Sequence, residues 1–329
     1  MKKDDNLPHI WVVTENLRGT QNQCVGVAEN LGFPYTIKTI GLKQPWKFLS
    51  PYLGFENSAS FSGDPLTAPW PDIVIASGRK SIAACRYIAR QSKGKTFICY
   101  IQDPRVSSSA FDLIALPKHD PSRGEKILVT TATPNRITDE KLAEGREEFP
   151  EFAELPSPRL AVLIGGASSA YNFSMETAQT LVENLKAVKK KTNGSLLITA
   201  SRRTPPKIFS FLKEELSGEN TYFWDETGDN PYFGFLGWGD YIFVTSDSAS
   251  MLSEAATTGK PVYMIPLDAK STKKNRLNQL QENLVEHGAV RNFEGLLENW
   301  SYTRLNDAQA VAEGIKKRLP ERLSQSSNR

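Results

Sequence analysis

Short, continuous apolar segments alternate with amphipathic segments along almost the whole chain. The apolar segments lack a polar residue at every second position, which is typical of strands that are buried on both faces. Because such strands form parallel sheets covered by helices, we predict an α/β protein with two doubly wound, Rossmann-like domains. The predicted strands lie at 9–13, 72–76, 96–101, 113–116, 127–130, 160–164, 195–199, 221–224, 241–244 and 262–265, and the predicted helices at 21–31, 81–91, 174–190, 206–216, 249–257, 275–287 and 307–317.

Proline marks the predicted boundary between the two domains. The chain has 329 residues, and domains typically have about 150. Residues 149–158 include three prolines, and proline removes a backbone donor and resists both helix and central strand. We therefore predict a linker between an N-terminal domain at 1–155 and a C-terminal domain at 156–305. A C-terminal helix and a polar tail are predicted at 306–329.

Charge and cysteine usage exclude several classes of function. Forty Lys and Arg oppose 37 Asp and Glu, a net charge of +3 that is too balanced for a nucleic-acid-binding protein. The small excess permits peripheral contact with an acidic membrane surface without requiring it. Cys24, Cys85 and Cys99 are scattered, and the three histidines are far apart. We therefore expect neither a metal nor a cofactor.

Targeting signals are not recognisable in the sequence. No apolar stretch approaches the ~18 residues that a membrane-spanning helix needs. The N-terminus has only a short apolar run at 10–13, whereas a signal peptide needs about 7–15 apolar residues. These patterns predict a cytoplasmic protein, with peripheral attachment at the inner face of the membrane left open.

The segment with the clearest chemical meaning is 241–256, in which a buried strand runs into small hydroxyl residues and then a helix. The N–H groups of a first helical turn have no partners within the helix, and the helix dipole makes this end positive. The segment therefore suits a phosphate or diphosphate, with Ser246, Asp247 and Ser248 at the turn. Glu254, about two turns later, could bind a sugar diol. The alternative is ordinary N-capping, with Glu254 as a solvated helix residue.

Two further predicted strands end in residues that suit the same ligand. Gly165, Gly166 and Ser168 follow the strand at 160–164, and glycines there let the backbone approach a ligand closely. Arg202 and Arg203 follow the strand at 195–199, and a guanidinium matches phosphate oxygens. The alternatives are a plain strand-to-helix turn and a basic pair on the surface. Together with the 241–256 segment, these residues indicate a site for a nucleotide sugar.

The N-terminal half offers residues that could hold an acceptor. Gly19, Asn22 and Gln23 follow the first strand and open a helix, and Gly78 with Arg79 ends the second. A general base must reach the acceptor hydroxyl from such a strand end. The candidates are Asp103 and the neighbouring pair His119 and Asp120. The alternatives are that Asp103 caps a turn before proline and that His119 is a loop histidine.

Several of these motifs together resemble the mitochondrial-fission Elm family, whose members occur in plant mitochondria and in bacteria. The resemblance covers nearly the whole chain, from about Trp11 to the C-terminal helix. It is carried by ASGRKSIA at 76–83, IQDPRV at 101–106, TPNRI at 133–137, IGG at 164–166, TASRRTP at 199–205 and TSDSASMLSEA at 245–255. The absence of a presequence rich in Arg and Ser favours a bacterial-type member.

That family is similar in turn to two-domain GT-B glycosyltransferases, and most of all to the peptidoglycan N-acetylglucosaminyltransferase that acts on membrane-bound lipid precursors. The resemblance implies two Rossmann-like domains that face each other across a cleft. It places Ser246 and Ser248 at the diphosphate turn and Glu254 at the ribose, in the motif that also contains Met251. Gly165, Gly166 and Ser168 match the first glycine turn of the donor domain.

One departure from those enzymes bears on catalysis. Glycosyltransferases of this kind have a glycine-rich first loop that ends in histidine, whereas the loop from Glu15 to Gln23 has one glycine and no histidine. The resemblance therefore implies that the expected position of the base is either empty or filled differently, with Glu15 and Asp103 as the candidates.

The sequence thus predicts a glycosyltransferase-like protein that binds a nucleotide-diphosphate sugar and transfers the sugar to an envelope or lipid-linked acceptor. The first alternative is a non-catalytic adaptor with the same fold that binds a protein partner at a membrane surface. A nucleotide-sugar epimerase is a weaker alternative, because G-x-G-x-x-G and a Tyr-x-x-x-Lys pair are absent.

Overall fold

Two compact α/β units make up the protein. The computed structural model describes residues 7–118 and 120–327. The first unit comprises the described residues up to Arg136 together with those from Asn306 onward, and the second comprises Ile137–Leu305. Each unit is built on its own, almost wholly parallel sheet, so the predicted fold class of two doubly wound α/β sheets is confirmed.

The first unit contains a seven-stranded sheet in the order β3-β2-β1-β4-β5-β6-β7, in which only β3 is antiparallel to its neighbour. Its strands are β1 (Ile10–Thr14), β2 (Tyr35–Leu42), β3 (Phe61–Gly63), β4 (Ile73–Ser77), β5 (Phe97–Ile101), β6 (Leu113–Pro117) and β7 (Ile127–Thr130), and its first helices are α1 (Arg18–Leu31), α2 (Trp46–Leu49) and α3 (Ser81–Gln91). Alternate residues of the central strands enter separate cores: Ile10 and Val12 pack with residues of α1, and Trp11 and Val13 with residues of α3. Both faces are therefore buried, as the continuous apolar segments predict.

The second unit contains a six-stranded, fully parallel sheet in the order β11-β10-β8-β12-β13-β15, and β9 and β14 form a small antiparallel pair. Its strands are β8 (Arg159–Ile164), β9 (Tyr171–Asn172), β10 (Ser195–Ala200), β11 (Thr221–Trp224), β12 (Tyr241–Thr245), β13 (Val262–Ile265), β14 (Asp268–Ala269) and β15 (Val290–Asn292). Its helices are α4 (Asp139–Glu148), α5 (Met175–Thr192), α6 (Pro206–Leu216), α7 (Tyr232–Trp238), α8 (Ala249–Thr257) and α9 (Arg276–Glu286).

The proline-containing segment is folded and not extended. Residues Pro150–Glu154 form a short 3-10 helix, and Phe152 is only 1% exposed. Its ring lies 5.6 Å from that of Phe149 and 5.4 Å from that of Phe235 on α7. Because α4 and this turn pack on α7, residues 137–155 belong to the second unit. The observed boundary therefore follows Arg136, whereas the sequence pattern placed it after residue 155.

The last helix, α10 (Asp307–Ser327), belongs to the first unit. The Asp307 carboxylate accepts hydrogen bonds from the N–H groups of Thr131 and Ala132, each at 2.9 Å. Val311 and Ile315 are fully buried in the core beneath α1. The predicted separate segment at 306–329 is thus a covering layer of the first sheet. The helix continues through most of the predicted polar tail, and residues 328–329 lie outside the described part of the chain.

Candidate functional site

The strand order of the second sheet reverses between β8 and β12. Successive strands run outward from β8 through β10 to β11, and from β12 through β13 to β15. In parallel α/β sheets the loops after two such neighbouring strands diverge, and ligands bind in the crevice between them at the carboxyl ends. The glycine turn after β8 and the serine turn after β12 both lie at this point.

Asp247 connects these turns. Its carboxylate accepts hydrogen bonds from the Gly166 N–H at 3.0 Å and the Thr245 hydroxyl at 2.6 Å. Arg203 Nη1 lies 2.6 Å from Asp247 Oδ2, and the Asp247 side chain is wholly buried whereas that of Arg203 is 44% exposed. The structure thus brings the three segments together. Asp247 and Arg203, both predicted to bind the donor, are paired with each other within the framework of the site.

Close contacts require glycine at both positions of the turn after β8. A Cβ at Gly165 would lie 2.3 Å from Asp247 Oδ1, and one at Gly166 would lie 2.1 Å from the carbonyl oxygen of Arg203. The Gly165 N–H donates to Thr245 Oγ1 at 2.7 Å, and the Thr204 hydroxyl donates to the Gly165 carbonyl. The turn is therefore locked between the loops that follow β10 and β12.

The N-terminus of α8 retains free donors. Ser248 is the N-cap, and its hydroxyl accepts from the Met251 N–H at 3.4 Å. The N–H groups of Ala249 and Ser250 make no hydrogen bond with the described part of the chain, and the first turn has no acidic residue. Unpaired amides and the helix dipole together suit an anion.

Arg202 and Met251 occupy more accessible positions than their neighbours. Arg202 is exposed, and its guanidinium makes no ion pair or hydrogen bond within residues 7–118 and 120–327. Met251 is half-buried on the first turn of α8. Of the two adjacent arginines, only Arg202 is thus available to a ligand without breaking a contact.

Two of the predicted serines have local structural partners. The Ser246 hydroxyl is buried and accepts from the Leu267 N–H at 3.0 Å, and Gln281 Nε2 donates to the Ser246 carbonyl at 2.5 Å. The Ser168 hydroxyl accepts from the N–H groups of Ala170 and Tyr171. Both side chains therefore stabilise loops at the carboxyl edge of the sheet.

Glu254 is buried and hydrogen-bonded to an aromatic residue. It is only 9% exposed, and the Tyr232 hydroxyl donates a hydrogen bond to its Oε2. Burial, followed by the nearby carboxylate, raises the pKa of the Tyr232 phenol well above its usual value. The phenol thus remains a donor, and Glu254 is held in one orientation. Tyr232 lies in an aromatic-rich stretch of the sequence at 232–238, but its pairing with Glu254 is seen only in the structure.

In the first unit, strand order reverses between β1 and β4. Glu15, a predicted base, follows β1 and contacts the loop after β4: it accepts from the Lys80 N–H at 3.0 Å and from Lys80 Nζ at 2.5 Å. Gly78 in that loop has a φ of 93°, a conformation that favours glycine. Arg79, predicted on the acceptor side, donates from Nε to the Ser50 carbonyl at 2.6 Å. These contacts give Glu15 and Arg79 structural partners.

The remaining predicted bases are placed differently. The Asp103 carboxylate accepts from the Arg105 N–H at 3.0 Å, so it caps a turn, as the alternative interpretation expects. The preceding residue, Gln102, has a φ of 88° and donates from Nε2 to Gln23 Oε1 at 3.3 Å. His119 lies outside the described residues.

The first helix begins earlier than the sequence pattern suggests. α1 starts at Arg18, so Gly19 is its second residue, and Asn22 and Gln23 lie within the helix and not at its start. Gln23 is buried and Asn22 is half-buried. The loop before α1 is accordingly shorter than the 15–23 segment used in the prediction. A start at Arg18 is hard to recognise because Leu17, at the N-cap, makes no capping hydrogen bond with its side chain.

Two polar residues near this point were not singled out from the sequence. Thr14 and Ser77 are register partners at the ends of β1 and β4. Both are fully buried, and their hydroxyl oxygens have no hydrogen-bond partner among the described residues. Their only sequence signal is that each is the last residue of an apolar strand.

Two pockets lie in the second unit. One, of about 450 Å³, is lined by Lys186, Lys189 and Gly194 at the amino end of β10, opposite the predicted site. The other, of about 370 Å³, is lined by Ile265, Asp268 and residues of α5. Neither includes Arg202 or the first turn of α8 in its lining.

Within the described ranges no three His, Cys, Asp or Glu side chains form a cluster that could hold a metal ion. No helix of the described chain has the length and apolar character needed to cross a membrane.

Comparison with known sequences gives one family. The family model described as mitochondrial fission ELM1 matches residues 18–319. The mitochondrial fission protein ELM1 of Arabidopsis thaliana is 34% identical over 282 residues, which are 77% of this chain and 65% of that protein. The chain thus spans about two-thirds of that relative's length. An uncharacterized protein of Rickettsia prowazekii is 27% identical, and the alignment covers 94% of this chain and 98% of that protein.

Comparison with solved structures shows the fold. A UDP-GlcNAc 2-epimerase from Methanocaldococcus jannaschii is 12% identical and has a TM-score of 0.58. The superposition covers 95% of this chain and 99% of the epimerase chain. The same enzyme, solved in complex with UDP-GlcNAc and UDP, gives a TM-score of 0.56. The glycotransferase of kitacinnamycin has a TM-score of 0.52 at 12% identity, covering 97% of this chain and 94% of its own. The likeness is to proteins of the GT-B fold.

Proposed function

Because this chain belongs to the mitochondrial fission ELM1 family and has a GT-B-like fold, we propose that its second unit binds a nucleotide-diphosphate sugar at the carboxyl ends of β8 and β12. One observation carries the proposal. At the point where strand order reverses, the Ala249 and Ser250 amides on the first turn of α8 and the guanidinium of Arg202 have no partner in the described chain. Amides at a helix N-terminus and a guanidinium are the groups that bind diphosphate oxygens.

The surrounding contacts support the same ligand. Asp247 and Arg203 neutralise each other at 2.6 Å, so the buried carboxylate is compensated where the phosphates would bind. Glu254, held by Tyr232, is proposed to accept hydrogen bonds from the ribose diol. An enzyme of similar fold has been solved with UDP-GlcNAc and UDP, which supports a uridine nucleotide as the first ligand to test.

We propose further that the sugar is transferred to an envelope or lipid-linked acceptor. Arg202 and the α8 amides would stabilise the negative charge that develops on the leaving diphosphate. The acceptor hydroxyl would lose its proton to a carboxylate of the first unit, Glu15 or Asp103. For Glu15 this requires the carboxylate to exchange its contact with Lys80.

Calorimetric titration with UDP, UDP-GlcNAc and an equivalent set of guanosine and adenosine diphosphate sugars tests the binding step. We expect at least one nucleotide to bind, and Arg202→Ala to weaken binding by about tenfold or more, because one charge-assisted contact to phosphate is lost. Lys190→Ala is the matched control, since it removes one exposed cation at the opposite edge of the same unit. Absence of binding to every nucleotide, or equal affinities for the Arg202→Ala and wild-type proteins, would refute the proposal.

A non-catalytic adaptor is the second candidate, and a specific observation favours it. Two of the predicted bases have structural partners: Glu15 contacts Lys80, and Asp103 caps a turn. Product analysis distinguishes the two candidates. If a nucleotide binds but neither sugar transfer nor hydrolysis is detected, and Glu15→Gln changes only stability, the adaptor is favoured.

The same assay covers epimerisation. UDP-GlcNAc 2-epimerases are among the solved structures of similar fold, so the missing G-x-G-x-x-G and Tyr-x-x-x-Lys motifs argue only against epimerases that use those motifs. Inversion at C2 of UDP-GlcNAc, followed by NMR, would identify that reaction without an acceptor.

A further inference from the structure

An exposed group of large apolar side chains lies on the first unit, within residues 46–55, which we term the apolar segment. Phe48 is 79% exposed, Leu49 48%, Tyr52 76% and Phe55 91%. The segment comprises α2 and the loop after it. Single exposed apolar residues are common on protein surfaces, but four in eight consecutive positions form a patch that is typical of an interaction surface.

The backbone of the apolar segment is fixed from below. Arg86 donates to the carbonyl of Pro51 at 2.6 Å and to that of Leu53 at 2.8 Å. Its Nε also donates to Glu56 Oε1 at 2.8 Å, and the Glu56 side chain is wholly buried. Trp46 Nε1 donates to the Gly54 carbonyl at 3.0 Å. The apolar side chains are therefore exposed on an anchored loop, and the anchoring does not depend on them.

Phe55 supports a role for the side chains themselves. Its φ is 60°, in the left-handed region that a bulky residue rarely adopts and that glycine adopts without strain. Its ring is 91% exposed, so packing within the protein does not compensate for that strain. A phenylalanine at such a position is explained more readily by a contact outside the chain than by the stability of the fold.

The exposed charges within and next to the apolar segment in the sequence are of one sign. Between residues 35 and 60 the only ionisable acid is Glu56, which is buried and paired with Arg86 and Arg90. The lysines in the same span are Lys38, Lys43 and Lys47, and the last two are exposed beside the aromatic side chains. Exposed aromatic rings flanked by lysines match an anionic bilayer surface, where the rings enter the interface and the ammonium groups meet phosphates.

We propose that the apolar segment is a peripheral membrane-binding surface for anionic phospholipid, with Phe48, Tyr52 and Phe55 inserted at the headgroup level and Lys43 and Lys47 contacting lipid phosphates. A lipid surface fits better than a protein groove because the segment presents rings and cations without exposed acids. The surface is independent of nucleotide binding, so either proposal can fail without the other.

Sedimentation with vesicles tests the proposal on the full chain. We expect binding to vesicles of equimolar phosphatidylcholine and phosphatidylglycerol, and much weaker binding to phosphatidylcholine alone. Phe48→Ser combined with Phe55→Gly should lower the partition coefficient by about tenfold or more, because two large apolar side chains no longer enter the interface. Lys43→Ser combined with Lys47→Ser should lower it by roughly tenfold at low salt and less at high salt.

The controls separate binding from folding. Leu296→Ser removes an apolar side chain that is 61% exposed in the second unit, and it should leave vesicle binding unchanged. Phe55→Gly should not lower the unfolding temperature, since glycine tolerates the left-handed backbone. Failure of the wild-type protein to sediment with anionic vesicles would overturn the proposal. So would equal partitioning of the Phe48→Ser/Phe55→Gly protein, or a patch that instead mediates self-association, detected as a dimer that this variant dissociates.

Discussion

Arg203 Nη1 lies 2.6 Å from Asp247 Oδ2, and this contact joins the loop after β10 to the loop after β12. The adjacent Arg202 is exposed and has no partner within the described part of the chain. Two consecutive arginines therefore have different tasks, one in holding the framework and one available to a ligand. This difference allows stability and nucleotide binding to be tested separately.

Asp247→Asn should lower the free energy of unfolding of the second unit by about 3 kcal/mol, because it removes a buried charge on which three donors converge. Arg203→Gln should cost about 3 kcal/mol as well, since it leaves the wholly buried Asp247 carboxylate without its cation. Urea unfolding followed by tryptophan fluorescence measures both values. Equal midpoints for Asp247→Asn and the wild-type protein would contradict the role assigned to this carboxylate.

Gly166→Ala should destabilise the second unit by about 2 kcal/mol or more, because the new Cβ would overlap the backbone of the loop after β10. That Cβ would lie 2.1 Å from the Arg203 carbonyl oxygen, which cannot rotate away as a side chain can. Gly54→Ala is the control, since a Cβ there meets nothing within 4 Å. Thermal unfolding compares the variants, and a stable Gly166→Ala protein would show that the turn is not locked as described.

Lys260 should make the stability of the second unit increase with pH in the alkaline range. Its Nζ donates to the carbonyls of Leu236 and Gly237, each at 2.7 Å, and burial lowers its pKa from 10.5 to about 8. Between these two values the unfolded chain holds the proton that the folded protein has released. Raising the pH through this window therefore removes a cost to folding, of the order of 3 kcal/mol.

The control for that experiment is Lys260→Gln, which retains a donor group but does not titrate. The buried thiols act in the opposite direction: burial raises the pKa of Cys85 from 9.0 to about 12, so the unfolded chain loses that proton first and stability falls above pH 9. The difference in urea midpoint between wild-type and Lys260→Gln protein isolates the lysine. A difference that is the same at pH 8 and pH 10.5 would contradict the prediction.

The cysteines provide a separate probe of the first unit. Cys24, Cys85 and Cys99 are 0% exposed and all lie in that unit. Burial also raises the pKa values of Cys24 and Cys99, so little reactive thiolate forms at neutral pH. We expect no reaction with an aromatic disulfide reagent in buffer and reaction of all three thiols in denaturant. Rapid labelling of any thiol in the native protein would indicate local opening of the first unit.

The pattern of apolar residues in the sequence was sufficient to predict the fold class. Continuous apolar strands such as 160–164 and 241–244 correspond to β8 and β12, because burial on both faces is visible in the local residue pattern. The family resemblance is likewise confirmed by the match over residues 18–319. One strand that the pattern missed, β2, has an exposed first half with Thr36 and Lys38 among its residues, so it lacks the continuous apolar run.

The domain boundary, the position of α10 and the pairing of side chains in the candidate site depend on long-range contacts. The domain boundary after Arg136 and the position of α10 depend on packing between elements distant in sequence, as in the contact of Asp307 with Thr131. The same holds within the candidate site. The sequence pattern could place Arg202, Arg203 and Asp247 at the ends of strands. Only the folded chain decides that Arg203 is paired and Arg202 is not, because the pairing depends on which strands become neighbours. The sequence by itself thus determined two parallel α/β units and the strand ends at which a ligand is predicted to bind. The tertiary structure decided which side chains at those strand ends are available to a ligand.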